Sequence, residues 1–378
     1  MTLRSATLGI LGGGQLGRMF AMAARTMGYD VLVLDPDPLA PARHFATHHI
    51  CADYADPLAL QELSNTCVAI TTEFENIPAH VLQILSDRCV VFPQSEAVFI
   101  VQNRAREKTF LQDNLFTTAP FIIVEPDKDP TEALKKFNFP GIIKTAQLGY
   151  DGKGQARVHS FEEAIIALQT SFSNQSVIIE TLLPLRLELS VILGRTHTGQ
   201  INYWPIAENR HRNGILDMTI APARISEELT ERALKIAGQI AEKLHYVGVM
   251  AVEFFVVGMN QLLVNEIAPR PHNSGHFTLT GCQTSQFEQQ VRILCGLPLG
   301  PTELFQPTVM VNLMGDLWSN GIPPWEVILL VPAAKLHLYG KTTPKPGRKM
   351  GHFNISAPST HEAITKAEHI RRQLGIEA

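Results

Sequence analysis

Long apolar runs are absent from this 378-residue chain. No segment approaches the roughly 18 consecutive apolar residues of a membrane-crossing helix, so no membrane partner is expected. Charged residues make up only 18% and the net charge is −4, which argues against a general nucleic-acid or membrane-surface binder. Cysteine is scarce and odd in number. Cys51, Cys67, Cys89, Cys282 and Cys295 form no CxxC, which points to a reduced, cytoplasmic setting with buried thiols. Internal repeats and low-complexity segments are also missing. The first eight residues carry one basic side chain before a glycine-rich turn, and read as a first strand rather than a signal peptide. What is present is 45% apolar residue content, ordinary for a soluble globular protein, in a length that suggests two or three domains.

Up to about residue 105 short apolar strands (7–11, 31–34, 68–72, 90–92) alternate with helical patterns (15–27, 58–63, 79–85), the signature of a parallel α/β unit. A charged helix over 103–112 leads away from it. From residue 121 strands and hairpins mix with helices at 131–137, 161–168 and 227–244, an α+β region that closes near 299. Pro298, Pro301 and Pro307 mark a second boundary. Strands at 309–313, 334–338 and 353–356 and a helix over 361–374 follow. The divisions are therefore 1–105, 106–299 and 300–378.

The most informative stretch is a pair of apolar, β-branched runs, 247–257 and 262–270, joined by a turn over 258–261. A turn centred between Met259 and Asn260 pairs Val257 with Leu262 and Glu253 with Glu266. Directly opposed residues have Cβ atoms about 5 Å apart, where like charges are destabilising. A hard divalent cation supplies the missing counter-charge, and Mg²⁺ on one or two carboxylates commonly carries substrate phosphates. With the turn shifted by half a residue, one glutamate points to solvent instead.

Gly12-Gly13-Gly14-Gln15-Leu16-Gly17 satisfies G-x-G-x-x-G between a strand and a helix, with Asp35 ending the next strand. Such a turn admits a pyrophosphate, a sugar phosphate, or nothing at all. No later segment supplies the second half of a dinucleotide fold. A second signal runs from Lys144 to Gln155, with three glycines (Gly149, Gly152, Gly154) and Lys153. Its amides can fold over phosphates with the lysines as point charges, although it is not a Walker A loop. A surface hairpin is the alternative. The strand over 177–183 runs into a connector where backbone groups can read an adenine and Glu188 a ribose, unless it is simply core. Arg270 to His276 concentrates donors just beyond Glu266. Glu73-Phe74-Glu75-Asn76 follows the 68–72 strand, where open α/β sheets bind ligands. Basic residues at 341, 348 and 349, interleaved with Gly and Pro, read as a fixed loop or a solvated face.

Together these segments resemble the ATP-grasp ligases, and within them the 5-(carboxyamino)imidazole ribonucleotide synthase family. The carrying motifs are GGGQLGRM at 12–19, GYDGKGQ at 149–155, NEIAPRPHNSGH at 265–276, SQFEQ at 285–289 and GRKMGH at 347–352. The resemblance implies an N-terminal Rossmann-like domain, a central two-part ATP-grasp domain and a small C-terminal β-rich domain, an α/β and α+β architecture, and a homodimer. It implies ATP contacts from Arg104, Lys144, Gly149, Tyr150, Asp151, Gly152, Lys153, Gly154, Gln155, Glu180, Thr181, Leu182, Leu183, Glu188, His211, Asn265 and Glu266. Glu253 and Glu266 would hold Mg²⁺. Aminoimidazole ribonucleotide would lie against Gly14, Gln15, Leu16, Glu73, Tyr150, Arg270, His272, Asn273, Ser274, Lys341, Arg348 and Lys349. Arg270, Asp151 and Lys349 would be the catalytic side chains. One departure is Asn103, where the resemblance leads us to expect an acid. The implied reaction is ATP- and bicarbonate-dependent carboxylation of the ribonucleotide's amine through carboxyphosphate. The competing readings are a formate-using glycinamide ribonucleotide transformylase, a nicotinamide-dependent oxidoreductase built on 12–17, and a nucleotide-binding protein without turnover.

Overall fold

The computed structural model describes residues 6–147, 149 and 154–376. Tyr150, Asp151, Gly152 and Lys153, all singled out from the sequence, lie outside the described residues.

The first unit is a five-stranded parallel sheet of β1 (Thr7–Leu11), β2 (Asp30–Leu34), β3 (His48–Ile50), β4 (Cys67–Thr72) and β5 (Val90–Val91), in the order β3-β2-β1-β4-β5. β3 escaped the sequence reading because His48-His49-Ile50 has no apolar run to betray it. The helix Gln15–Thr26 buries Leu16, Met19, Phe20 and Ala24, a helical spacing that seats one face on the sheet. The winding reverses between β1 and β4, so their carboxyl ends flank a crevice.

A second, antiparallel sheet contains β6 (Phe121–Val124), β7 (Gly141–Thr145), β8 (Gln155–Val158) and β9 (Val177–Thr181), in the order β6-β9-β7-β8. The largest sheet contains β10 (Leu185–Arg195), β11 (Ile201–Tyr203), β12 (Ala207–Arg212), β13 (Ile215–Ala221), β14 (Gly248–Val257), β15 (Gln261–Ala268), β16 (Thr308–Met314), β17 (Ala334–Leu338) and β18 (Lys349–Ser356). Its order is β15-β14-β10-β12-β13-β16-β18-β17, with β11 on β10. The last three strands thus continue the same sheet through β13 and β16, and Met218 and Ile220 share a core with Val309, Val311, Phe353 and Ile355. The stretch from Pro346 to His352 is not a loop throughout, since β18 begins at Lys349. Gly351 allows this: a Cβ there would lie 2.6 Å from the His337 carbonyl oxygen of β17. No described helix is long and apolar enough to cross a membrane.

The β14–β15 hairpin departs from its expected register in an instructive way. The turn is Gly258-Met259-Asn260, with Gly258 at φ +56°, and Val257 pairs with Gln261 rather than Leu262. That offset holds through Phe254 with Val264. A register shift then intervenes, and Val252 pairs with Ile267. Glu253 therefore faces both Asn265 and Glu266 across a β-bulge, two residues opposite one. The carboxylates meet, but by a bulge that undoes the effect of the turn.

Candidate active site

A cleft of about 1050 Å³ lies between the carboxyl ends of β1 and β4, the small sheet and the bulged hairpin. Glu253 and Glu266 both line it. Burial and the facing Glu266 carboxylate push Glu253 up from its ordinary value. Burial also works to raise Glu266, but the Arg104 guanidinium, 2.8 Å from its Oε2, outweighs it and draws that carboxyl down. Glu253 is backed by a buried polar chain crossing three neighbouring strands. Ser190 Oγ donates to Glu253 Oε1 at 3.4 Å, Asn209 Nδ2 to Ser190 Oγ at 2.6 Å, and Thr219 Oγ1 to Asn209 Oδ1 at 3.0 Å. Paired carboxylates with one proton-holding tendency between them are what a divalent cation relieves. Among the described residues no group of three or more His, Cys, Asp or Glu is arranged to hold a metal. The donor set therefore fits a cation that takes its remaining ligands from phosphate and water.

Basic side chains converge beside this pair. Asn103 caps the helix Arg104–Asp113, accepting from Ala105 and Arg106 amides at 2.9 and 3.1 Å, so amide and carboxylate serve equally there. The helix then aims Arg104, Glu107 and Lys108 inward. Lys108 Nζ lies 2.6 Å from Glu180 Oε1 and donates to the Asn265 carbonyl at 2.9 Å, while Lys144 of β7 pairs with Glu180 Oε2. Burial would raise Glu180, but the two lysines hold it at about 2. Glu107 accepts the Ile267 amide at 2.5 Å, and burial pushes it up to about 8. Sequence reasoning missed Lys108 and Glu107, whose partners lie far along the chain. Lys144, Gly149, Gln155, Glu188, His211 and Asn265 all line the cleft. Arg104 donates to the Gly149 carbonyl at 3.2 Å, and His211 Nδ1 lies 3.1 Å from Glu188 Oε1. Burial lowers His211, but Glu188 raises it on balance. Glu180 is buried between its lysines. Thr181, Leu182 and Leu183 sit where β9 leaves the small sheet, with the Leu182 amide on the Pro140 carbonyl. Gly154, at φ +68°, accepts the Thr145 amide at 2.8 Å.

The glycine-rich turn carries its own anion. Glu73 accepts the amides of Gly14 and Gly17 at 2.6 and 2.5 Å, and Asp35 accepts that of Gly13 at 2.6 Å. A Cβ on Gly14 would lie 2.4 Å from Glu73 Oε1, so glycine is needed for this approach. Burial pushes Glu73 up to about 7 despite its amide donors. The amides that a dinucleotide pyrophosphate would use are therefore spoken for. Gln15, Leu16 and Glu73 line the cleft.

Opposite stands the loop after β15. Arg270 Nε donates to Glu75 Oε2 at 2.5 Å, tying it to the loop after β4. His272 Nδ1 lies 2.8 Å from Ser274 Oγ and 3.6 Å from Glu253, and burial drives the ring down to about 3, so it is neutral. Asn273 exchanges amide bonds of 3.0 and 2.6 Å with Asn312 of β16. Ser274 is fully buried behind His272. Lys349 reaches the cleft, and Lys341 Nζ donates to the Lys349 carbonyl at 2.7 Å. Arg348 is turned to the Thr343 carbonyl at 2.9 Å and does not line the cleft.

Three family models match: a ribonucleotide synthetase preATP-grasp domain over 5–102, an ATP-grasp domain over 109–287, and a phosphoribosylaminoimidazole carboxylase C-terminal domain over 308–366. An N5-carboxyaminoimidazole ribonucleotide synthase of Bacillus subtilis is 43% identical over 95% of this chain and 93% of its own length. The ADP complex of an N5-carboxyaminoimidazole ribonucleotide synthetase superimposes with a TM-score of 0.90 at 40% identity, covering 98% of both chains. An Aspergillus clavatus N5-carboxyaminoimidazole synthase, solved with ADP and 5-aminoimidazole ribonucleotide, gives 0.89 at 30% identity over 99% of this chain and 100% of that one.

Proposed function

Since the chain belongs to the N5-carboxyaminoimidazole ribonucleotide synthase family of ATP-grasp ligases, we propose that its cleft carboxylates the exocyclic amine of 5-aminoimidazole ribonucleotide with ATP and bicarbonate. The observation that carries this is the meeting of Glu253 and Glu266 at the bulge, between the Arg104–Lys144 cluster and the Arg270–Asn273 loop. Arg104 and Lys144 bind the ATP phosphates, and Glu188 and His211 face the nucleotide from β10 and β12. Glu253 and Glu266 are the residues that would hold Mg²⁺. When bound, such an ion neutralises charge on the transferring phosphoryl group.

A bicarbonate oxygen bonds to the γ-phosphorus as the bond to ADP breaks, giving carboxyphosphate. The ribonucleotide nitrogen then bonds to the carboxyl carbon as phosphate leaves with its bonding electrons, and the amine gives up a proton. Arg270 orients the carboxyphosphate by its fixed fork of donors. Asp151 is the sequence-based candidate to accept the proton. Lys349, His272 and Asn273 face the ribonucleotide, with Lys341 bracing the Lys349 carbonyl from the tail. Enclosure matters because carboxyphosphate hydrolyses in water. The reading includes a cytoplasmic setting, supported by the five free cysteines, small-molecule substrates, and a homodimer that rests on the family resemblance alone.

The test is ADP release with the ribonucleotide, supplied with bicarbonate or formate in turn. Bicarbonate alone should support turnover. Formate-dependent turnover would favour the transformylase reading.

A further inference from the structure

We propose that Gln286 is a positioning residue that sets the affinity for the ribonucleotide by clamping the loop that carries His272 and Asn273. The inference rests on the reading that this loop holds the ribonucleotide. The SQFEQ motif has no part in the chemistry above, yet its helix, Gln286–Leu294, lies behind that loop. The side chain of Gln286 is fully buried. Its Oε1 accepts the His272 amide at 2.9 Å, and its Nε2 donates to the His272 carbonyl at 2.7 Å. A carboxamide presents an acceptor and a donor as a peptide group does. It therefore replaces the neighbouring strand that His272 lost when β15 ended at Ala268. Buried backbone groups without such a partner are costly.

The clamp is itself fixed. Nε2 also lies 3.2 Å from His276 Nδ1, and the Gln286 amide donates to Thr278 Oγ1 at 3.0 Å, which in turn donates to the Gly275 carbonyl at 2.7 Å. Gly275 leaves the room: a Cβ there would lie 2.3 Å from Gln286 Oε1. The same helix provides a built-in control. Gln289, equally buried, makes the same double contact with Gly300, accepting its amide at 2.8 Å and donating to its carbonyl at 3.1 Å. Both glutamines brace backbone, but only Gln286 braces the substrate loop.

The experiment compares Gln286→Met, Gly275→Ala and Gln289→Met in the full chain, measuring KM for the ribonucleotide and for ATP. Gln286→Met and Gly275→Ala should each raise the ribonucleotide KM by about tenfold or more and leave the ATP KM within about twofold. Gln289→Met should leave both within about twofold, whatever it does to thermal stability. The inference is overturned if the two KM values rise together in Gln286→Met, or if Gln289→Met shifts the ribonucleotide KM equally. Should Gln286→Met fail to fold, Gly275→Ala decides by the same criterion. Wild-type protein without ribonucleotide-dependent turnover would overturn the functional reading itself, and this inference with it.

Discussion

Glu180 gives the sharpest residue-scale consequence. It is nearly inaccessible and sits between Lys108 and Lys144, whose ammonium groups outweigh burial and draw its carboxyl down to about 2. Its folded value is depressed, so the unfolded chain binds more protons between that value and about 4.5. The stabilisation is complete above about pH 5 and is lost as pH falls towards 2, amounting to about 3 kcal/mol. Glu180→Gln should therefore cost about 3–5 kcal/mol at neutral pH, because it leaves the buried Lys108 ammonium, and the partly buried Lys144 beside it, unmatched. It should also flatten the acid limb of a stability-versus-pH curve measured with urea. An unchanged acid limb would contradict the assignment. None of this was legible locally. Glu180 was singled out as a nucleotide contact at the end of its strand and Lys108 lay unremarked in a charged helix, because the contact joins residues far apart in sequence. The place of Arg270 and His272 beside the acid pair was legible, since polar loops are common but this one follows directly from the Glu266 strand, and both line the cleft.

Caps and bulges operate at the scale of the element. Asn103 does at the helix Arg104–Asp113 what an aspartate would do, so the departure from an acid there is conservative in capping terms. Asn103→Ala should destabilise by about 1 kcal/mol and Asn103→Asp by little or nothing, as read by denaturant midpoints. Equal losses in both would show that the cap is not what the position supplies. Strand and helix placement was largely readable from periodicity, including the helix starting at Gln15 and the strand at Ala334. The bulge was not. Turn length and bulge position offset each other, and neither has a strong residue signature in Gly258-Met259-Asn260 or Asn265-Glu266. Hairpin counting reached the right meeting of carboxylates over the wrong pairs near the turn. The glycine fingerprint shows the opposite failure. The pattern was plain, but the occupant of its amides, Glu73, comes from the loop just after β4 and lies 59 residues from Gly14.

Across the whole molecule, three sheets deliver separate chemistries to one cleft. The parallel sheet supplies Glu73 and Glu75, the small sheet Lys144, and the large sheet the carboxylate pair, His211 and Lys349. The architecture was legible because the motifs occur in a characteristic order along the chain. The continuity of the large sheet into β16–β18 was not, since an edge-to-edge join leaves no mark in hydrophobic periodicity. It matters to the site, because Asn312 and Lys349 reach the cleft region on strands of that extension. In the proposed function the bulge assembles Glu253 and Glu266 into the phosphate-facing acid pair. The most direct measurement of that role is ADP release with aminoimidazole ribonucleotide, bicarbonate and Mg²⁺, in wild type and in Glu266→Gln of matched thermal stability. Glu266→Gln should lose about a hundredfold or more in turnover. Turnover within about threefold of wild type would contradict it.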